Sequence, residues 1–229
     1  HEFACIKTLK GHEHNISGVC FVPGGDFLLS ASRDKSIRLW EITTGYCKQT
    51  LMGHTEWVRD VVTDDQGKLA ASCSNDKTIR LWSLDNNSCV GTLRGHSHVV
   101  ESVCFTPGSF RLVGPQPPKE AVGGKFLISA SRDKTVRIWD LTNLSCAMML
   151  SGHDNWVRGV VCHPNGSYVL SVSDDKSIRV WDVSQKRCIK TIEEAHAHFV
   201  SSVALLENAA QPVLATGSVD QTIRLWNMG

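Results

Sequence analysis

The sequence predicts an all-β fold built from five copies of one small antiparallel sheet unit, on three repeated observations. Trp40, Trp82, Trp139, Trp181 and Trp226 each stand six residues after an aspartate, namely Asp34, Asp76, Asp133, Asp175 and Asp220. Four residues before each aspartate comes a hydroxyl, at Ser30, Ser72, Ser129, Ser171 and Thr216. Each unit opens on a small residue followed by histidine: Gly11-His12, Gly53-His54, Gly95-His96, Gly152-His153 and Ala195-His196. The aspartates follow one another at intervals of 42, 57, 42 and 45 residues. A period of about 40–45 residues marks units that bury a core only by stacking on their neighbours.

The first unit covers residues 10–51. Phe27-Leu28-Leu29 and Ile37-Arg38-Leu39-Trp40 are β-prone runs around Asp34-Lys35, which reads as a tight hairpin turn. Thr43-Thr44-Gly45 marks a second hairpin leading into a strand from Cys47 to Leu51. The second unit covers 52–93. The third, 94–150, is lengthened by an insertion at 107–125 that holds Pro107, Pro115, Pro117, Pro118 and four glycines. That composition predicts a mobile loop between the unit's first and second strands. The fourth unit covers 151–192 and the fifth 193–229. Ahead of them all, residues 1–9 read as the outer strand of a preceding repeat. Cys5 lies seven residues before His12, as Cys47, Cys89 and Cys146 do before their own histidines, while Cys188 lies eight before His196.

The Gly-His openings, the Ser-x-Ser-x-Asp turns and the closing Ile-Arg-Leu-Trp resemble the WD40 signature over essentially the whole chain. The resemblance implies a WD40 β-propeller with one four-stranded blade per repeat, five such blades being present here. It also implies that the histidine, hydroxyl, aspartate and tryptophan of each repeat form a buried hydrogen-bonded tetrad. The tetrads are His12, Ser30, Asp34, Trp40; His54, Ser72, Asp76, Trp82; His96, Ser129, Asp133, Trp139; His153, Ser171, Asp175, Trp181; and His196, Thr216, Asp220, Trp226. Such a network is sensible because a buried His or Asp must be satisfied to avoid a cost of a few kcal/mol. The fifth repeat departs from the pattern, with Ala195 for Gly, Asn227 where Asp is usual, and nothing after it to form an outer strand. Either the two chain ends pair to close a ring, or they are cut ends of a larger, seven-bladed propeller. The start at His1 rather than Met points to a truncated N-terminus.

Composition narrows the function classes. Hydrophobic content of 41% and charged content of 21% describe an ordinary globular protein. A formal net charge of +1 argues against bulk attraction to nucleic acid or anionic membrane. No apolar run approaches the ~20 residues needed to span a bilayer, and the N-terminus does not read as a signal peptide. Nine cysteines without a signal peptide then predict reduced thiols in the cytoplasm. The Asn-x-Ser triplets at Asn15, Asn86, Asn143 and Asn165 accordingly read as chance.

Enzyme readings find little purchase. Ser, His and Asp in every repeat suggest a catalytic triad, but an active site is rarely built five times with a tryptophan attached. Five of the nine cysteines share one repeated strand position and no Cys-x-x-Cys occurs, so they read as small buried apolar groups rather than metal ligands. Phosphate-loop and dinucleotide motifs are missing from the sequence. No catalytic residue, metal or cofactor is expected.

Positions that vary between repeats are where a binding platform would specify a partner. Three residues after each histidine stand Asn15, Trp57, Val99, Trp156 and Phe199; two further on stand Ser17, Arg59, Glu101, Arg158 and Ser201. Just before the tetrad aspartates come Arg33, Asn75, Arg132, Asp174 and Val219, and just after them Lys35, Lys77, Lys134, Lys176 and Gln221. Trp57 and Trp156 are the two tryptophans outside the tetrads, each in a Trp-Val-Arg phrase. They either pack between blades or serve as binding anchors, for which Trp and Arg are the favoured residue types. Arg33, Arg59 and Arg132 are expected to reach acidic side chains in forked geometry.

Longer phrases (Gly-His-Asp-Asn-Trp-Val-Arg-Gly-Val at 152–160, Ser-Cys-Ser-Asn-Asp at 72–76, Thr-Gly-Ser-Val-Asp-Gln-Thr at 216–222, Thr-Gly-Tyr-Cys at 44–47) and the Pro-rich insertion resemble the lissencephaly-1 family. That resemblance implies a regulator of cytoplasmic dynein acting in microtubule-based transport, nuclear positioning and cell division, located in the cytoplasm, on microtubules and at the centrosome. Implied partners are the dynein heavy-chain motor domain, NudE-type dynein cofactors and the catalytic subunits of a platelet-activating-factor acetylhydrolase. The motor-binding face of the family matches Arg33, Arg59, Arg132, Trp156 and Lys176 here, and the rim positions add Trp57 and Arg158. The family's dimerisation segment and first two blades have no counterpart in this chain. The other readings are a regulatory subunit of the acetylhydrolase, a generic WD40 adaptor such as a ubiquitin-ligase substrate receptor, and, most remotely, a hydrolase.

Overall fold

A computed structural model describes residues 4–112, 126–206 and 212–228. Among the described residues all regular structure is β, and the chain divides into two compact units, His1–Thr92 and Leu93–Gly229.

The first unit is built on two four-stranded antiparallel meanders. One comprises β1 (Ile16–Phe21), β2 (Phe27–Ser32), β3 (Ser36–Glu41) and β4 (Cys47–Met52). The other comprises β5 (Val58–Thr63), β6 (Leu69–Ser74), β7 (Ile79–Ser83) and β8 (Ser88–Leu93). The second unit repeats the plan with β9 (Val100–Phe105), β10 (Phe126–Ser131), β11 (Thr135–Asp140) and β12 (Ser145–Ser151). Then follow β13 (Val157–Cys162), β14 (Tyr168–Ser173), β15 (Ile178–Asp182) and β16 (Arg187–Ile192). The last sheet has three strands among the described residues, β17 (Val200–Leu206), β18 (Val213–Ser218) and β19 (Ile223–Asn227), the fifth repeat having been read as lacking a segment for an outer strand. No described segment pairs with its outer edge, and Ile223 and Leu225 of β19 are exposed. Ala4 to Lys10 form no strand; the Lys7 ammonium instead donates to the carbonyls of Ile42 and Thr43.

Burial follows position in the meander rather than simple alternation. The second strands, β2, β6, β10 and β14, are buried on both faces over most of their length, and within each unit the sheets stack on one another. They are accordingly rich in small residues, Ala and Ser above all. The fourth strands β8, β12 and β16 lie largely in the open. In the first unit β1 packs against β5, and Leu29, Ala31, Ile37, Val58 and Val61 join in one cluster. In the second, β9 packs against β13 and β13 against β17, over Ile128, Val136, Val157 and Val160 and then Leu170, Val172, Val200 and Leu214.

Two expectations need correction. The insertion does connect the first and second strands of its sheet, but its beginning is anchored. Phe110 is buried in the second unit's core, Ser109 donates to the Pro164 carbonyl at 2.6 Å, and Gly166 (φ +72°) lets the β13–β14 turn lie directly against the Phe110 backbone. Residues 113–125 lie outside the described part. The repeated cysteines are also not buried: Cys5, Cys89 and Cys146 are exposed, Cys47 and Cys188 half-buried. For Cys47, Cys146 and Cys188 the cause is a bulge on the fourth strand. Trp40 pairs with Cys47, Trp139 with Cys146 and Trp181 with Cys188, each next to a register shift, and each thiol donates to the carbonyl two residues on.

Candidate functional site

Each repeat builds the same buried network. The histidine Nδ1 lies 2.6–3.0 Å from the aspartate Oδ2, and its Nε2 lies 2.6–2.8 Å from the hydroxyl oxygen. The tryptophan Nε1 donates to that same oxygen at 2.7–2.9 Å. A carboxylate only accepts, so Nδ1 carries a proton; in the neutral tautomer Nε2 then accepts from the hydroxyl, whose oxygen accepts from the indole. The other aspartate oxygen takes a hydroxyl at 2.6 Å, from Ser36, Thr78, Thr135, Ser177 or Thr222.

Burial alone would raise the carboxyls of Asp34, Asp76, Asp133 and Asp175, yet the hydrogen bonds from the histidine and the Ser or Thr outweigh it and hold them well below the usual range. Asp220 is held low chiefly by Thr222. Burial lowers His96, against the pull of Asp133. The hydroxyls are almost fully buried and engaged on both sides, so the repeated Ser-His-Asp is a strut that ties the loop before the first strand to the second and third strands.

The network also accounts for the glycine before histidine. A Cβ at Gly152 would stand 2.7 Å from Arg179 Nη1 and 3.2 Å from Trp181 Cη2. Where Ala195 takes this place, Arg224 Nη1 donates to the Ala195 carbonyl at 2.8 Å.

Above the struts stand the variable positions, aimed by the backbone. The residue five after each histidine (Ser17, Arg59, Glu101, Arg158 or Ser201) is the extra residue of a bulge between the first and second strands. A bulge turns such a side chain out of the sheet's regular alternation. The residue before the tetrad aspartate donates its N–H to the carbonyl of Asn15, Trp57, Val99, Trp156 or Phe199 at 2.9–3.0 Å, which ties the two variable loops together. The two variable positions therefore face each other within a blade. Arg59 Nε donates to Asn75 Oδ1 at 2.6 Å, Arg132 Nε donates to Glu101, and Arg158 grips Asp174 through Nε and Nη2 at 2.8 Å each. This pairing was missed from the sequence, although opposite charges at matched positions in the third and fourth repeats signal it.

The two extra tryptophans are half-buried, and each lies within 6 Å of two guanidinium groups. In the first unit, Arg33 lies 4.7 Å and Arg59 5.7 Å from the Trp57 ring centre, with His14 at 6.0 Å. In the second, Arg132 lies 4.3 Å and Arg158 5.0 Å from Trp156, with His98 at 6.0 Å. Each indole thus packs on the neighbouring blade while keeping part of its surface open. Arg158 is held above its usual pKa first by its hydrogen bonds to Asp174, with Glu101 adding to the effect. Lys176 is exposed at φ +68° on the β14–β15 turn, next to Asp175. Lys35, at the same place in its own turn, lies 3.7 Å from Glu56. The structure thus brings Arg33, Trp57 and Arg59 together, and separately Arg132, Trp156 and Arg158. No group of three or more potential metal ligands occurs among the described residues.

Comparison with known proteins agrees with the repeat geometry. The family model of the WD domain, G-beta repeat (WD40) matches residues 3–41, 45–83, 87–114, 121–140, 144–182 and 186–227. The third match takes in β8 and β9 and the fourth β10 and β11, the break between them falling at residues 115–120 inside the insertion. The chain is similar to nuclear distribution protein PAC1 of Coccidioides posadasii, at 43% identity over 222 residues, 90% of this chain and 47% of that protein. It is 46% identical over 211 residues to nuclear distribution protein nudF 1 of Talaromyces marneffei, covering 87% of this chain and 46% of the relative. It is 40% identical over 271 residues to nuclear distribution protein PAC1 of Gibberella zeae, covering 99% and 59%. The chain spans about half the length of the curated relatives it matches. With a buried His–hydroxyl–Asp–Trp strut in every sheet and the family match covering most of its length, the chain belongs to the WD40-repeat family.

Proposed function

We propose that this chain is a non-catalytic scaffold that docks through its paired arginine–tryptophan clusters on the motor domain of cytoplasmic dynein and so regulates microtubule-based nuclear positioning. The observation that carries the reading is the clusters themselves. Trp57 and Trp156 are half-buried indoles backed by two guanidiniums each, which is the composition of binding hot spots. The nuclear distribution names of the relatives and the resemblance to dynein regulators supply the partner. Arg33, Arg59, Arg132, Trp156 and Lys176 form the docking set, with Trp57 and Arg158 completing the two stacks. The site of action is then cytoplasmic and microtubule-associated.

The test is a pull-down of purified motor domain by the parent chain and by a variant carrying Arg33→Ala, Arg132→Ala and Trp156→Ala. Loss of capture by a folded variant is the expected outcome; undiminished capture overturns the assignment.

A further inference from the structure

The two clusters look alike in sequence but differ in the contacts that hold them. Around Trp57, Arg59 donates to Asn75, while the Arg33 guanidinium has no carboxylate partner among the described residues. Around Trp156 two guanidiniums meet two carboxylates. Arg158 is gripped by Asp174, and Glu101 accepts both from Arg132 and, at 3.1 Å, from Arg158 Nη1. Glu101 Oε1 therefore bridges the two arginines flanking one indole. The Glu101 side chain is only 9% exposed and that of Asp174 only 4%, so neither faces a partner.

We propose that Glu101 is a positioning residue for partner docking: it clamps Arg132 and Arg158 onto Trp156 and presents the indole as a rigid, charge-neutral anchor. Two like-charged guanidiniums within 4.3 and 5.0 Å of one ring repel each other unless an anion lies between them. Glu101 provides that anion from a bulge in β9, where the backbone, not a flexible loop, fixes its direction. Once the clamp is gone, the long arginine side chains recover their rotamer freedom and Trp156 loses its backing, a cost that docking must then meet. Arg33 has no carboxylate partner among the described residues, so long-range attraction for an acidic surface falls to it and the apolar anchor to Trp156.

This proposal rests on the motor-docking reading and yields a sign that simple charge counting reverses. If the basic face acted only by attracting an acidic surface, Glu101→Gln would strengthen binding by removing a negative charge. A clamp predicts the opposite: affinity for purified motor domain about tenfold weaker, between the scales of an exposed and a desolvated cation–π contact. The loss should vanish in a Trp156→Ala background, because Glu101 acts through that ring. Should Glu101→Gln fail to fold, Asp174→Asn releases Arg158 from the other side, and Asn75 shows that the fold accepts an amide at this position. Unchanged or tighter binding by the folded single variants, or an equal loss with and without Trp156, overturns the clamp. Absence of motor binding by the parent chain itself instead refutes the docking reading on which the clamp depends.

Discussion

Removal of one tetrad hydroxyl should cost far more than its size suggests. In Ser171→Ala, the Trp181 indole N–H loses its acceptor at 2.8 Å and His153 Nε2 loses its donor at 2.7 Å. Ser171, His153 and Trp181 are all buried, so water does not readily replace the hydroxyl. Each orphaned buried group costs about 1–3 kcal/mol, which sums to about 2–6 kcal/mol. For a chain of this size that corresponds to a fall of about 4–24 °C in the unfolding midpoint. Urea denaturation followed by far-UV circular dichroism reads the same loss as a lower midpoint at constant slope. The fifth repeat supplies the control: Thr216 makes both bonds, to Trp226 at 2.9 Å and His196 at 2.8 Å. Ser171→Thr should therefore lose much less than Ser171→Ala. A Ser171→Ala loss within about 0.5 kcal/mol, the scale of an ordinary surface substitution, refutes the reasoning.

Acid should weaken the fold with a definite sign. The tetrad aspartates are held below their ordinary 3.8, so their contribution is complete above about pH 4 and is lost as pH falls towards the depressed folded values. His96, lowered by burial from 6.5, acts in the same direction from a higher start, since below that value the unfolded chain takes up the proton first. The urea midpoint is expected to be lower at about pH 4 than at about pH 7; a higher one contradicts the assignment. Gly166→Ala places a Cβ 2.5 Å from the Phe110 backbone at a φ of +72°, and should cost about 2 kcal/mol or more in the same titration. A loss below about 0.5 kcal/mol would show that the insertion is not seated there. In motor binding, the defect of Arg33→Ala should shrink as salt rises while that of Trp156→Ala persists, because only the former is a screened charge effect. Equal salt dependence for both would erase the distinction between the two clusters.

Most of the fold was legible because it repeats. One unit's hydroxyl, aspartate and tryptophan offsets recur five times, and hairpins such as Phe27–Ser32 to Ser36–Glu41 sit where β-prone runs flank a turn. What escaped is what repetition does not encode. The exposure of Cys146 follows from strand position and a bulge opposite the tryptophan, neither of which composition reveals. The seating of Phe110 depends on a turn in another blade, 56 residues further on at Gly166. At the rim, the sequence named Arg33, Arg59, Arg132, Trp156 and Lys176 but treated the arginines as reaching outward. Arg132 and Arg158 are instead already engaged by Glu101 and Asp174, because the bulges aim matched positions at each other. Glu101, lone acid in a column otherwise Ser or Arg, was visible but had no role until its two neighbours were placed.

The most direct test of docking through the rim is the equilibrium affinity of purified dynein motor domain for the parent chain and for Trp156→Ala, at matched fold stability. Loss of a central aromatic anchor costs about 2 kcal/mol or more, so we expect binding to weaken by roughly thirtyfold or more. A folded Trp156→Ala chain that binds the motor as tightly as the parent would contradict the central claim.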